Sequence, residues 1–312
     1  MASDTVTEVP PFSSPLYPFA RHRFPVGAGG AGPMLHYVDE GSGEPIVLVH
    51  GNPTWSFFFR DLIRPLSRAY RCVAPDHIGC GLSDKPGAAS YPYTFDRRAR
   101  DLEALLDSLG LVENLTLVLH DWGGMIGMLF ASRFPERIKR LILLNTGAFH
   151  LPPTKPLPMS LRLVRDTPLG PFLVRGLNAF STGAARSCAI KPLSAEARRG
   201  YLAPYDSWAN RVAVLEFVRT IPLRPTDPGY DLVTEVQEGL HRFRDVPTLL
   251  AWGMRDFVFD RHFLEAWEGF LPGAEVHRFE DAGHYVLDDA GERIVPLVES
   301  FLAAHPIAGP PR

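Results

Sequence analysis

Cysteine is scarce in this 312-residue chain. Cys72, Cys80 and Cys188 are odd in number and show no CxxC spacing, which excludes a disulfide framework and a cysteine-based zinc cluster. A basic excess is lacking too. Lys plus Arg number 32 against 35 Asp plus Glu, a net charge of −3, so bulk electrostatics recruit neither nucleic acid nor anionic lipid. No run approaches the ~18 apolar residues of a transmembrane segment, and no basic amphipathic helix stands out. The opening Met-Ala-Ser-Asp-Thr-Val-Thr has neither the basic region nor the apolar core of a signal peptide. Internal repeats and low-complexity blocks are missing. A cytoplasmic location is therefore expected, with no metal and no cofactor called for. With 46% hydrophobic and 21% charged residues, the chain has the balance of a soluble globular enzyme.

Proline, by contrast, is abundant at 30 residues, and it concentrates before residue 34, around Leu151 to Pro158 and from Pro222 to Pro228. The first cluster reads as an irregular arm, residues 1–30. The other two border an insertion, residues 149–232, which interrupts a core of residues 31–148 and 233–312. In the core, short runs are apolar at nearly every position: Ile46–Val49, Cys72–Ala74, Leu115–Leu119, Leu141–Leu144 and Thr248–Trp252. Strands covered on both faces must look like this. Between them lie helical stripes, such as Phe95, Ala99, Leu102, Leu105, Leu106 and Leu109, with Gly110 as a C-terminal stop. Strand–helix alternation predicts an α/β fold with a mainly parallel, doubly wound sheet. The insertion carries helical stripes and many aromatics, and reads as a helical cap over the carboxyl edge of the sheet, where such folds keep their sites.

The most informative site lies where the strand Leu115–Leu119 ends, in Leu-His-Asp-Trp-Gly-Gly. Strand, sharp turn with small residues, then helix is the setting of a nucleophile elbow. The elbow residue is Asp121. A carboxylate suits attack on a saturated carbon bearing a leaving group, because the product is an ordinary alkyl ester. The competing reading is a helix N-cap. In the loop His50-Gly51-Asn52-Pro53-Thr54-Trp55-Ser56, Asn52 offers an amide NH₂, and Trp122 an indole N–H, as neutral donors for a halide or a developing oxyanion. A turn residue and a packing residue are the plain alternatives.

Imidazole takes and returns protons near neutral pH. Of eleven histidines, His284 in Phe279-Glu280-Asp281-Ala282-Gly283-His284-Tyr285 is the one in the expected chain order of nucleophile, acid, base. The orienting acid is assigned to Asp256, four residues past an apolar run. Its rival Asp260 better suits capping, and the alternative place after Leu144 holds Asn145-Thr146. The loop Pro75 to Ser83, with Asp76, His77 and Cys80, reads as architecture.

His50 to Ser56, Pro75 to Pro86, His120 to Gly127 and Gly283 to Leu287 resemble the motifs of the haloalkane dehalogenase branch of the α/β-hydrolase superfamily. The resemblance covers nearly the whole chain after residue 30 and implies the α/β-hydrolase fold, an eight-stranded core with a helical cap. A closer resemblance, carried by Phe172 to Ala184, Tyr205 to Arg211 and Gly253 to Asp260, is to the β-lactone decarboxylases of bacterial long-chain olefin biosynthesis. Such enzymes turn cis-3,4-dialkyl-oxetan-2-ones into cis-alkenes and CO₂. The resemblance implies Asp121, His284 and Asp256 as the catalytic set, Asn52 and Trp122 as charge stabilisers, and assembly with the lactone-forming synthetase and the preceding reductase. Cap residues Phe172, Phe180, Tyr205, Trp208 and Phe217 would hold the alkyl chains, or merely pack cap onto core. Haloalkane dehalogenation uses the same residues and is the principal alternative. Epoxide hydrolysis assisted by Tyr201 and Tyr205, and a non-enzymatic ligand receptor, are the remaining ones.

Overall fold

The computed structural model describes residues 12–27 and 31–307. Eight strands form one sheet: β1 (His22–Pro25), β2 (Met34–Glu40), β3 (Pro45–Val49), β4 (Arg71–Pro75), β5 (Leu115–Asp121), β6 (Ile138–Thr146), β7 (Thr248–Gly253) and β8 (Glu275–Phe279). Their order across the sheet is β1-β2-β4-β3-β5-β6-β7-β8. The β1–β2 and β2–β4 pairs are antiparallel, and all others are parallel.

The continuous apolar runs follow from two-sided burial. Val47, Val49, Leu117, Leu119, Leu141 and Leu143 face one core layer, with helices α2 (Phe95–Ser108), α3 (Trp122–Arg133) and α10 (Arg261–Phe270). Ile46, Leu48, Val118, Ile142 and Leu144 face the other, with α1 (Arg60–Leu66) and α11 (Val286–Ala304). Successive residues of each strand thus feed opposite layers, and the few polar side chains buried among them are hydrogen-bonded, as where Arg140 Nε donates to Thr116 Oγ1 at 2.8 Å. The Thr94 hydroxyl caps α2 by accepting from Arg97 N, and Gly110, at φ +69°, follows its end.

The arm is less irregular than the proline content predicts. It contains β1, a short edge strand in which Pro25 is tolerated at the end. Further along the chain, Met34–Glu40 mixes apolar Leu35 and Val38 with polar His36, Asp39 and Glu40, and because four of its seven residues are only partly buried it lacks the buried-strand pattern. Phe12 and Tyr17 pack on Trp55 and Phe57, which anchors the arm to the loop after β3.

Between β6 and β7 the chain forms α4 (Met159–Asp166), α5 (Leu169–Pro171) running into a π turn (Phe172–Gly176), α6 (Ala179–Ser187), α7 (Ala195–Leu202), α8 (Val212–Arg219) and α9 (Tyr230–Gly239). This segment contains no strand among the described residues. Its helices lie over the carboxyl ends of the parallel strands, whereas α9 packs back on α3.

Candidate active site

Asp121 ends β5 with φ +53° and ψ −126°, a conformation costly for a residue with a Cβ. Its surroundings hold it there. Thr146 Oγ1 donates to the Asp121 carbonyl at 2.5 Å. A Cβ on Gly51 would sit 1.9 Å from Asp121 Oδ1, and one on Gly123 would sit 1.9 Å from the Val49 carbonyl oxygen. Glycine is required at both places because carboxylate and backbone already fill the space. Asp121 occupies the N-cap position of α3 yet makes no side-chain capping bond, which removes the capping reading. Instead, Asn52 N donates to Oδ1 at 2.6 Å, leaving Oδ2 facing His284 Nε2 at 3.5 Å.

His284 lies on the loop between β8 and α11. Its Nδ1 donates to Asp256 Oδ2 at 2.8 Å. Asp256, on the loop after β7, also accepts from Val258 N at 2.7 Å and from Asn145 Nδ2 at 3.0 Å. Asp260 caps α10, accepting from His262 N at 3.0 Å. All three members of the expected set are buried and meet in one chain of contacts. Burial raises the Asp121 carboxyl above the ordinary carboxylate range, opposed by His284 and by the N–H groups of Asn52 and Trp122. Burial pulls the His284 imidazole down, but the Asp256 and Asp121 carboxylates outweigh it and hold it above its ordinary value. The neighbouring His50 is lowered to about 4 by burial, and His77 and His120 lie well below their ordinary range for the same reason. These three rings are neutral scaffolding: His120 Nε2 donates to the His284 carbonyl at 2.9 Å, and His77 N donates to His50 Nε2 at 3.0 Å.

Two residues support this set without having stood out in the sequence. Asn145, at φ +36° on the end of β6, ties β7 to the acid: besides Asp256 it donates to the Gly253 carbonyl at 3.0 Å and accepts from Gly253 N at 2.8 Å. A lone amide closing an apolar strand was the available signal. Asp289, in the first turn of α11, accepts from Gly283 N at 2.8 Å and from Ile190 N and Lys191 N at 2.9 and 2.8 Å. It thereby fastens the His284 loop to the chain leaving α6. The Asp76 loop is architectural: its carboxylate accepts from Ser56 N at 2.7 Å, Leu82 N at 2.9 Å and His36 Nδ1 at 2.9 Å.

Asp121, Trp122, Asn52 and His284 lie at the floor of a cavity of about 430 Å³ whose walls are mostly apolar, including Phe149, Leu161, Leu173, Phe180, Val218 and Phe259. No hydrogen bond from Trp122 Nε1 is found among the described residues, so its N–H is free for a ligand. Asn52 is partly committed, since Nδ2 donates to the Val214 carbonyl of α8 at 3.2 Å, leaving one N–H over. Of the cap side chains expected to hold alkyl groups, Phe180 lines the cavity. The others correct the expectation. Phe217 is buried between Trp122 and the Arg98 guanidinium, and Tyr205 donates to the Thr54 carbonyl at 3.3 Å. Phe172 is exposed, and Trp208 lies under Arg175. Aromatic content alone does not reveal which helix face turns inward. Tyr201 donates to Asp288 at 2.5 Å, so neither cap tyrosine is placed to open an epoxide.

Comparison with known proteins agrees with this geometry. A family model described as the alpha/beta hydrolase fold matches residues 44–291. The chain is 54% identical over 288 residues to a cis-3-alkyl-4-alkyloxetan-2-one decarboxylase of Shewanella oneidensis, covering 92% of this chain and 89% of that one. It is 44% identical over 300 residues to a protein of the same name from Xanthomonas campestris, covering 94% and 99%. Among solved structures, the haloalkane dehalogenase DatA of Agrobacterium tumefaciens superposes with a TM-score of 0.81 at 28% identity, covering 92% and 97%. Sheet order, elbow and family match agree: the chain belongs to the α/β-hydrolase fold family.

Proposed function

We propose that this protein decarboxylates cis-β-lactones carrying two alkyl chains, releasing a cis-alkene and CO₂. The carrying observation is the 54% identity, over 92% of the chain, to a protein named for that reaction, set against 33%, over the same share of the chain, to a protein named haloalkane dehalogenase 2. The site supports it: a carboxylate stands at the floor of an apolar cavity, and the neutral donors Trp122 and Asn52 share that floor.

Asp121 Oδ2 attacks ring carbon C4 while Asn52 N–H holds Oδ1. The C4–O bond breaks, giving an Asp121 alkyl ester and a free β-carboxylate whose developing charge meets Trp122 N–H and Asn52. The bond between C3 and the carboxylate carbon then supplies the electron pair of the new double bond. CO₂ departs, and the C4–O ester bond returns its electrons to Asp121. Oδ2 regains its charge 3.5 Å from His284 Nε2, where a proton held on the ring by Asp256 stabilises it. Inversion at C4 followed by anti fragmentation converts a cis-lactone into a cis-alkene. Asn145 and Asp289 act as positioning residues, and residues 149–232 act as the cap that closes the apolar cavity. The proposal extends to a cytoplasmic location, which the three buried free thiols support, and to assembly with the lactone-forming synthetase and reductase.

The identical set would also serve dehalogenation, with His284 activating water against the ester. The purified protein, offered a cis-3,4-dialkyl-oxetan-2-one and separately 1,2-dibromoethane, is expected to form alkene from the first. Bromide release without alkene formation would overturn the assignment.

A further inference from the structure

The cap leaves large apolar side chains in solvent beside the cavity. Met159 and Leu163 on α4, Leu169 on α5, Phe172 in the π turn and Leu177 just after it are exposed, as is Phe257 on the loop after β7. Met159 is 78% and Phe172 56% accessible. Leu163 and Phe257 also line the cavity, so the exposed face and the cavity wall are one apolar surface. The first three elements pack on one another in sequence, which sets these exposed side chains on adjoining turns of the cap. A face of this kind on a soluble protein marks an interaction site.

Its charge selects the partner. Arg162, Arg186 and Arg224 are exposed, form no ion pair among the described residues, and adjoin the cavity-lining Leu163, Ser187 and Leu223 in sequence. The nearby carboxylates Asp166 and Asp227 are both paired with Arg165, at 2.5 and 2.6 Å, which leaves that trio one negative charge against the three unpaired arginines. Residues 149–232 hold 11 Lys plus Arg against 6 Asp plus Glu, although the whole chain is net −3. Two copies meeting through this face would oppose like charges. An anionic lipid surface accepts both features, apolar side chains in the acyl boundary and guanidiniums at the phosphates. We propose that the cap docks on an anionic membrane surface with the cavity mouth toward the bilayer. Entry of a two-chain lactone from the lipid rests on the decarboxylase reading, whereas the docking itself does not.

The test is co-sedimentation of the full chain with vesicles of phosphatidylcholine alone or mixed with phosphatidylglycerol, at low and high salt. Binding to the mixed vesicles, weakened by salt, is expected. Each rim arginine is worth about fivefold on an anionic surface, so Arg162→Gln with Arg186→Gln should bind about 25-fold more weakly. Phe172→Ser with Leu177→Ser should lose vesicle binding but keep its turnover of a short-chain, water-soluble dialkyl lactone. No binding to mixed vesicles at low salt, or equal binding by the variants, would overturn the proposal. Self-association abolished by the same serine pair, without vesicle binding, would also overturn it and assign the face to a second copy. Vesicle binding is read without turnover, so its failure is distinct from failure to form alkene.

Discussion

Asp256→Asn tests the electrostatic core of the site. The carboxylate accepts from His284 and Asn145 on Oδ2 and from Val258 N on Oδ1. An amide placed either way turns its NH₂ toward at least one of these donors, so one contact becomes donor against donor. Loss of the charge-assisted bond to His284 is worth about 1.5–3 kcal/mol, or about ten- to 150-fold in kcat. A second effect has a definite sign. Burial lowers the His284 imidazole and the carboxylates raise it; in the native protein the carboxylates win. Because fragmentation uses the protonated ring, alkene formation should fall as pH rises through this raised value. In the variant burial opposes the charge of Asp121 alone, so the alkaline limb should move to lower pH. On the acid side, activity should be lost as pH falls through the raised Asp121 value. Alkene release measured by gas chromatography at saturating lactone, across the pH range, reads both limbs. A variant with kcat within about threefold of the native enzyme and an unmoved alkaline limb would refute the assigned roles of Asp256 and His284. A rate that instead rises with pH through the His284 transition would mark a neutral base, as dehalogenation requires.

Asp121→Asn should leave the fold intact and abolish both alkene formation and covalent attachment. His284→Ala should accumulate the ester, seen as a mass increase on the peptide containing Asp121; an unmodified peptide during slow turnover would contradict the order of steps. Gly51→Ala should lower kcat by about 100-fold or more, because its Cβ would lie 1.9 Å from Asp121 Oδ1 and must displace the nucleophile. An unchanged kcat with an unchanged circular dichroism spectrum would show that the elbow has more slack than the structure indicates.

The two-sided burial of β3, β5, β6 and β7 wrote itself into the chain as uninterrupted apolar runs, and so these strands were legible in sequence. Asp121, Asp256 and His284 were legible for a related reason: each lies at or beyond the carboxyl end of a parallel strand, where the sheet delivers its loops to one edge. The partly buried β2, which mixes polar with apolar residues, and the four-residue edge strand β1 carried no comparable pattern, since neither presents an uninterrupted apolar run. Asn145 read as a mere vacancy for an acid, although it bonds to the acid that replaces it.

What the one-dimensional chain determined, then, was the chemistry of the reacting groups and the strands that carry them, because both depend on residue type and local period. Which cap side chains turn into the cavity, which stand in solvent, and how Asn52 divides its amide between Val214 and a ligand were decided by tertiary packing alone. Short cap helices can rotate an aromatic residue toward core, cavity or water with the same composition, and only contacts between distant segments select among the three.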